Sequence, residues 1–405
     1  MPHQPQRHGR DPHLGPQRNP HQGQRHPHHA HLHSLKELNV LSQYRFLFAD
    51  LRTDQTLDQL PVQGVTFDDY IGKTGALSGT IPVPDAEIAA RVKKAVVPGR
   101  TALWVERGPD LWWGGIVWTM TPAVDDRGAV TVAIQAATFD SFWDHAILRD
   151  TLEAQQMDQF DIARDLATYA TDQEGGDIGI RIDYSKTSGV RRDRTYSRFD
   201  ATRVREALDR LAAVENGFEW RVQVYREAAT GERVKRLQLG YPTITAGAAP
   251  VMLTYPGNVL NYSWPQDATG MANTWQSRGA TDNQNQADQS NPIMSTLWSY
   301  PEKLKAGWPR LDGSSDYNTV EKLTTLNEHA KADLARAKDP VVIPSIRTRL
   351  DGQVTPALIG SAVRLRIRDT WFSDGLDADY RVVGLHVTPA QRGQQESVEL
   401  YLEAA

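Results

Sequence analysis

Apolar positions recur along this chain at two spacings, and each change of spacing marks a new element. The change is sharpest between Asp200 and Pro242. Val204, Ala207, Leu208 and Leu211 recur at helical spacing and give one apolar stripe to bury. Asp200 is placed to cap that helix by accepting hydrogen bonds from its first free amides. Asn216-Gly217 supplies the stop, because Gly tolerates the left-handed conformation that a helix end often needs. From Phe218 the period becomes two, with Phe218, Trp220, Val222 and Val224 facing one way and Glu219, Arg221 and Gln223 the other. Thr230-Gly231 provides a turn, after which Leu237, Leu239 and Tyr241 resume the alternation. The pattern predicts a helix lying on one face of a hairpin.

The same reading divides the whole chain. A first β region covers 41–150, with strands at 76–83, 101–106, 111–120 and 129–138 and a short helix that Asp85 caps and Ile88, Val92 and Ala95 bury. An α/β region covers 151–245 and opens with a helix near Asp158 carrying Ile162, Leu166 and Tyr169 on one face. A second β region is expected from 246–280 and 341–405, with strands at 346–350, 362–368, 380–388 and 397–402. Beside it, 281–340 reads as a loop and helix: a Gln/Asn/Asp-rich run at 282–291, then a capping box at Thr325–Glu328 whose helix buries Leu326, Ala330 and Leu334. The expected class is α+β, with two β-barrel-like domains and α/β elements between and around them. Residues 1–34 are a His-, Gln- and Pro-rich arm with too few apolar residues to offset the entropy of ordering, so disorder is expected there.

Composition narrows the chemistry. The chain has 405 residues, 40% hydrophobic and 23% charged, with a net charge of -5, which argues against a nucleic-acid binder held by its overall field. It contains no cysteine, which removes disulfides, thiolate catalysis and Cys-type zinc sites together. No apolar run approaches the roughly 20 residues of a membrane helix. Nine of the twelve histidines lie in the arm, where ligands lack the fixed geometry a metal site needs. The others, His145, His329 and His386, have no metal-ligand spacing. No metal and no cofactor is expected.

The densest carboxylate groups are Asp68-Asp69, Asp125-Asp126 and Asp374/Asp377/Asp379. Neighbours on a strand point to opposite faces and Asp at turns bonds its own backbone, so these read as structural rather than as an acid/base pair. No nucleophile elbow, phosphate loop or dinucleotide fingerprint is present. Among eleven tryptophans, Trp112, Trp113 and Trp118 form a cluster suited to core or subunit-interface packing. Arg364, Arg366 and Arg368 alternate with Val363, Leu365 and Ile367, placing three guanidinium groups on one face, to meet solvent or an acidic neighbouring subunit. These six residues are the candidate interface.

Four stretches carry a family resemblance: Asn216-Gly217-Phe218-Glu219-Trp220 after a helix; Leu239-Gly240-Tyr241-Pro242 after a hairpin; Thr325-Leu326-Asn327 opening a helix; and Gly375-Leu376 followed by Tyr380-Arg381-Val382-Val383 in the β tail. Over about residues 40–405 their order resembles the hub, or minor tail, proteins at the tips of phage tails, related to the baseplate hubs of contractile tails. The resemblance implies a structural virion protein, made in the host cytoplasm, that closes the tail tube and anchors tip proteins or fibres. It also implies a homotrimer around a channel through which DNA passes without specific binding. Its partners would be the tube or distal tail protein, the tape-measure protein, and fibres or receptor-binding proteins. Some relatives extend into a peptidoglycan-cleaving or fibre domain; with the last predicted strand at the chain's end, none is expected here, and no enzymatic activity. The alternative is a Trp-rich carbohydrate-binding or glycan-processing protein.

Overall fold

The computed structural model describes residues 44–281, 291–350, 354–391 and 395–404. The amino-terminal arm and nearly all of the polar run predicted at 282–291 lie outside the described residues.

Thirteen strands hydrogen-bond into one sheet. Its first half is a run of neighbours in the order Gln63–Tyr70, Ala76–Val83, Val130–Thr138, Asp110–Val124, Thr101–Arg107, Tyr44–Asp50 and Thr56–Gln59. Its second half contains Ala246–Tyr255, Ser361–Ile367, Leu376–Thr388, Ser397–Ala404, Ser345–Thr348 and Val259–Ser263. The long strand Leu376–Thr388 joins them. Along one edge its residues 376–381 pair with 362–367 and its residues 384–387 with 67–70, while Ser397–Ala404 runs along the other edge. The switch of partner falls at Gly384, where a Cβ would sit 2.1 Å from the Tyr70 ring, so glycine lets the two halves meet without displacing that ring. The two expected barrels are therefore halves of one sheet, and neither closes into a barrel.

One hydrophobic core serves both halves. Phe46, Phe67, Leu103 and Val117 from the first pack in the same cluster as Leu253, Leu365, Leu385 and Leu400 from the second. A second core lies on the opposite face of the first half. Strand Thr101–Arg107 is buried on both sides: Leu103 and Val105 enter the first core, Ala102 and Trp104 the second. That is why it reads as a continuous apolar run rather than an alternation.

Five helices are described. The first, α1 (Ala86–Ala95), is capped by Asp85, whose carboxylate accepts from Ile88 N at 2.8 Å. The second, α2 (Gln159–Asp172), is capped by Asp158, which also holds Ser188 N and Gly189 N, so one carboxylate fixes a helix start and a distant loop. The third, α3 (Val204–Ala212), buries Val204, Ala207, Leu208 and Leu211 as expected, but Asp200 does not cap it. Asp200 ends a preceding 3-10 turn, Ala201 is left-handed at φ 48°, and the helix starts only where Arg203 pairs with Ile147. At its far end Asn216 takes the left-handed conformation (φ 55°), and Gly217 is required because a Cβ would lie 1.9 Å from the Ala212 carbonyl.

The predicted hairpin spans Glu219–Arg226 and Arg233–Gly240, with Gly231 at φ 73° in its turn and Ile180–Ile182 added as a parallel third strand. Leu152–Asp158 and Arg191–Tyr196 form a separate pair that the pattern did not reveal. Thr274–Thr281, grouped by its pattern with the second β region, pairs instead with Pro292–Met294, Trp298–Ser299 and Asp312–Asp316. With α4 (Pro301–Lys305) and α5 (Leu323–Ala337) this makes a side unit. Leu326, Ala330 and Leu334 are buried on α5 as expected, but Thr325 lies inside the helix, whose start at Leu323 has no side-chain cap.

Candidate functional site

The hairpin and α3 meet the large sheet through a seam of ion pairs. Arg221 Nη2 donates to Asp69 Oδ2 at 2.9 Å, and both side chains are under 10% exposed. Arg205 pairs with Asp140, which also accepts from Thr74 Oγ1 at 2.6 Å. Arg226 pairs with the buried Glu106, which Arg45 reaches from its other side at 2.8 Å. Arg233 Nε donates to Asp54 Oδ2 at 2.9 Å, while Asp54 Oδ1 takes the Trp104 indole N–H at 2.7 Å. In the reverse sense Glu219 on the hairpin accepts both Nη groups of Arg381 at 2.6 Å, and Glu403 takes a further bond at 2.7 Å.

This seam acts as a clamp. Burial pushes the Asp69 carboxyl up to about 6, against the pull of the Arg221 guanidinium. Each of these carboxylates is already engaged by arginine. The cavity among Asp69, Asp140, Arg205 and Arg221 is about 10 Å³, room for roughly one water. Burial also lowers Lys235 to about 8; its Nζ donates to the Leu51 carbonyl at 3.2 Å and to that of Ile178, lying 4.5 Å from the Phe139 ring centre. Sequence reasoning placed Glu219 and Arg221 on the hairpin's polar side and left that side without a partner. No local signal joins Asp69 to Arg221, 152 positions apart.

The candidate interface residues separate. Trp112 and Trp113 are 1% exposed in the first core, where Trp113 Nε1 donates to the Asp68 carbonyl at 2.9 Å. They cannot form a subunit surface in this fold, because the chain's own strands cover them. Trp118 is half-buried, bonded to Ser141 Oγ at 2.9 Å and lying 4.4 Å from the His145 ring. The arginine face does meet carboxylates, but of its own chain. Arg364 pairs with Asp377 and Asp379 at 2.5 and 3.0 Å, and Arg366 with Asp377 at 3.2 Å, across the adjacent strand; Arg368 is exposed.

The other carboxylates and histidines have local duties. Asp68 accepts from Ala76 N, and Asp125 accepts from Arg127 N and Ala129 N within its turn. His329 stacks on Tyr317 at 4.1 Å and is lowered to about 4 by burial. No cluster of three His, Asp or Glu able to hold a metal occurs among the described residues, and no described helix is long and apolar enough to cross a membrane. A cavity of about 460 Å³ lies between the loop after α3 and α5, and Trp298, Tyr300, Lys331 and Arg336 line it.

No family model matches the sequence, and no curated protein matches it. Solved structures do. The 43 kDa tail protein of prophage MuSo2 from Shewanella oneidensis superposes with a TM-score of 0.57 at 12% identity, over 89% of this chain and 98% of that one. Its fold is that of phage tail proteins. The tail protein from Neisseria meningitidis MC58 is similar at a TM-score of 0.55 and 13% identity, over 89% of this chain and 96% of that one. Both likenesses cover nearly the full length of the tail proteins compared, so the match is to a whole architecture rather than to one common motif.

Proposed function

We propose that this chain is a structural protein of a phage tail, a trimeric hub at the tip that closes the tube and anchors the distal proteins. The observation that carries this is the tail-protein fold, kept over 89% of the chain. The sheet supports a trimer: if tail tubes are six-fold, as the resemblance implies, three chains that each present two joined β halves would offer six contacts. Its partners would be the distal tube protein, the tape-measure protein and fibres, with the genome passing through the centre. The role is mechanical, not catalytic: a seam of paired charges, with room for about one water among Asp69, Asp140, Arg205 and Arg221, suits holding layers together better than turnover.

Imaging of particles carrying a small internal tag on this chain tests the proposal. Three tags at the tip are expected, and particles made without the chain should lack a closed tip. A label along the tube, six copies, or normal tips in its absence would overturn it. Incubation of purified protein with host peptidoglycan should release nothing above background; release abolished by changing one carboxylate would overturn the non-catalytic role.

A further inference from the structure

The side unit is an insertion into the large sheet. The chain leaves after strand Val259–Ser263 and returns into the neighbouring strand Ser345–Thr348, where Ser263 pairs with Ser345. Asp267 and Val341 form one further rung, each amide donating to the other's carbonyl at 3.0 and 2.8 Å. Between these rungs, residues 265–266 and 342–343 are exposed and make no backbone hydrogen bond. The root of this neck is fixed: Trp264 packs on Phe372 at a centroid distance of 5.1 Å, and the Pro344 carbonyl accepts from Leu402 N at 2.9 Å. Two short unpaired segments side by side can absorb a rigid-body rotation as a hinge.

Beyond the neck the unit is held weakly. Among the described residues, none from 265 to 344 belongs to either hydrophobic core. Three direct polar contacts join the unit to the α/β region: Arg192 to Glu328 at 3.4 Å, Arg210 to Thr319 at 3.4 Å and Lys331 to Glu215 at 3.8 Å. Each exceeds the roughly 2.7–3.2 Å of a good hydrogen bond. The clamp seam is the contrast, with Arg221, Arg233 and Arg381 paired at 2.9, 2.9 and 2.6 Å. Val214 of the α/β region and Leu334 of α5 both line the cavity of about 460 Å³ that lies in the contact.

The contact also strands polar atoms. His329 Nδ1 on α5, and Arg194 Nη2 and Tyr196 OH on strand Arg191–Tyr196, are buried without a hydrogen-bond partner in the chain. The Arg194 and Arg210 charges act on both His329 and Tyr196, so these groups share one neighbourhood. Nearby carboxylates are engaged elsewhere: Asp333 accepts from Ser315, Tyr317 and Arg336, and Glu206 pairs with Arg210. A buried polar group without a partner carries a desolvation cost that exposure to water relieves.

We infer that the side unit is a hinged flap that opens from the α/β region by rotation about residues 265–266 and 342–343. Opening hydrates the stranded groups and uncovers the loop 213–216 and the segment 298–300, while the clamp seam stays shut. The inference concerns the single chain and does not depend on the trimeric hub.

The absence of cysteine allows spin labels to be placed at chosen exposed positions. One full-length chain carries Ala229→Cys on the hairpin turn and Glu302→Cys on α4. A reference chain carries Ala229→Cys and Asp126→Cys, both outside the side unit. Pulsed dipolar spectroscopy should give two distance components for the first pair and a single narrow one for the reference pair. Tyr196→Phe and Arg194→Met each remove one stranded donor and should lower the second component roughly fivefold or more. Glu328→Ala removes a docking contact and should raise it. One narrow distance for the first pair, in the wild-type background and with Glu328→Ala alike, overturns the flap. So does a second component that neither Tyr196→Phe nor Arg194→Met lowers, or a reference pair that is equally broad.

Discussion

Removing Arg221 alone should expose how the seam is balanced. Arg221→Met keeps the length and apolar stem of the side chain but leaves the Asp69 carboxylate buried without its guanidinium, which costs about 3–5 kcal/mol for a buried pair. The cost should depend on pH. Asp69 already sits at about 6 in the folded state against an ordinary 3.8, so its contribution is most favourable below about 3.8 and is lost as pH rises through 6. Without Arg221 the dominant cause, burial, is unopposed by its nearest cation, and the folded carboxyl moves higher still. The variant should therefore lie close to wild type near pH 5, where the carboxyl takes a proton, and fall furthest behind near pH 8. Asp69→Asn leaves Arg221 buried and unpaired but removes the titrating group, so its own stability carries no Asp69-linked pH dependence and its deficit relative to wild type shrinks as pH rises across the same window. The double variant restores a neutral pair and should recover most of the loss. Urea unfolding of all four proteins at pH 5, 6.5 and 8 measures this cycle. An Arg221→Met cost that is equal at pH 5 and 8, or a double variant as unstable as the sum of the singles, would refute the reasoning.

Three further outcomes are expected. His329 is lowered from 6.5 to about 4, so the unfolded chain takes its proton first as pH falls; stability is lost between those values, by about 3 kcal/mol at most, and His329→Phe should flatten that part of the unfolding-midpoint curve relative to wild type. Trp113→Ala should lower unfolding stability by about 3–5 kcal/mol at any protein concentration, because the ring belongs to the chain's own core and not to a subunit contact. Gly384→Ala should cost about 1–3 kcal/mol, as the added methyl must displace the Tyr70 ring; a denaturation midpoint equal to wild type would show that the ring yields freely.

What the sequence disclosed was local. Asp85 and Asp158 cap the helices their positions predicted, and Thr230-Gly231 turns the hairpin, because each depends on residues within a few positions. The two misplaced caps fail for tertiary reasons. Near Asp200, the Leu148 amide bonds to the Thr202 carbonyl and Arg203 pairs with Ile147, and these contacts delay the helix. On α5, Asn327 accepts from Thr296 N at 2.8 Å, so a residue of the supposed capping segment holds the connection between two strands of the side unit. The family resemblance reached the mixed α and β tail-protein fold but not the single sheet in place of two barrels, and the seam stayed hidden: its arginines looked like an ordinary polar face until the sheet supplied their carboxylates.

The same distinction accounts for a fold shared with tail proteins at 12–13% identity while no family model matches the sequence. A strand's inward face needs apolar side chains of fitting volume, and many combinations meet that need. Leu103, Leu365, Leu385 and Leu400 could each be exchanged for Ile, Met or Val with neighbours adjusting, so the core leaves little fixed identity behind. Backbone pairing along Leu376–Thr388 is less tolerant: its partner changes from one half to the other within three residues, and the Tyr70 ring closes over Gly384 at that point. The seam lies between these extremes. An Arg–carboxylate pair can move along a strand or reverse direction, as Glu219 and Arg381 reverse the sense of Arg221 and Asp69, without changing how the hairpin lies on the sheet. Divergence can therefore erase the seam's sequence signature while its mechanical effect persists. On this reasoning, what distant chains of this fold can least afford to lose is the geometry of the joining strand, which an alignment of residue types records only weakly.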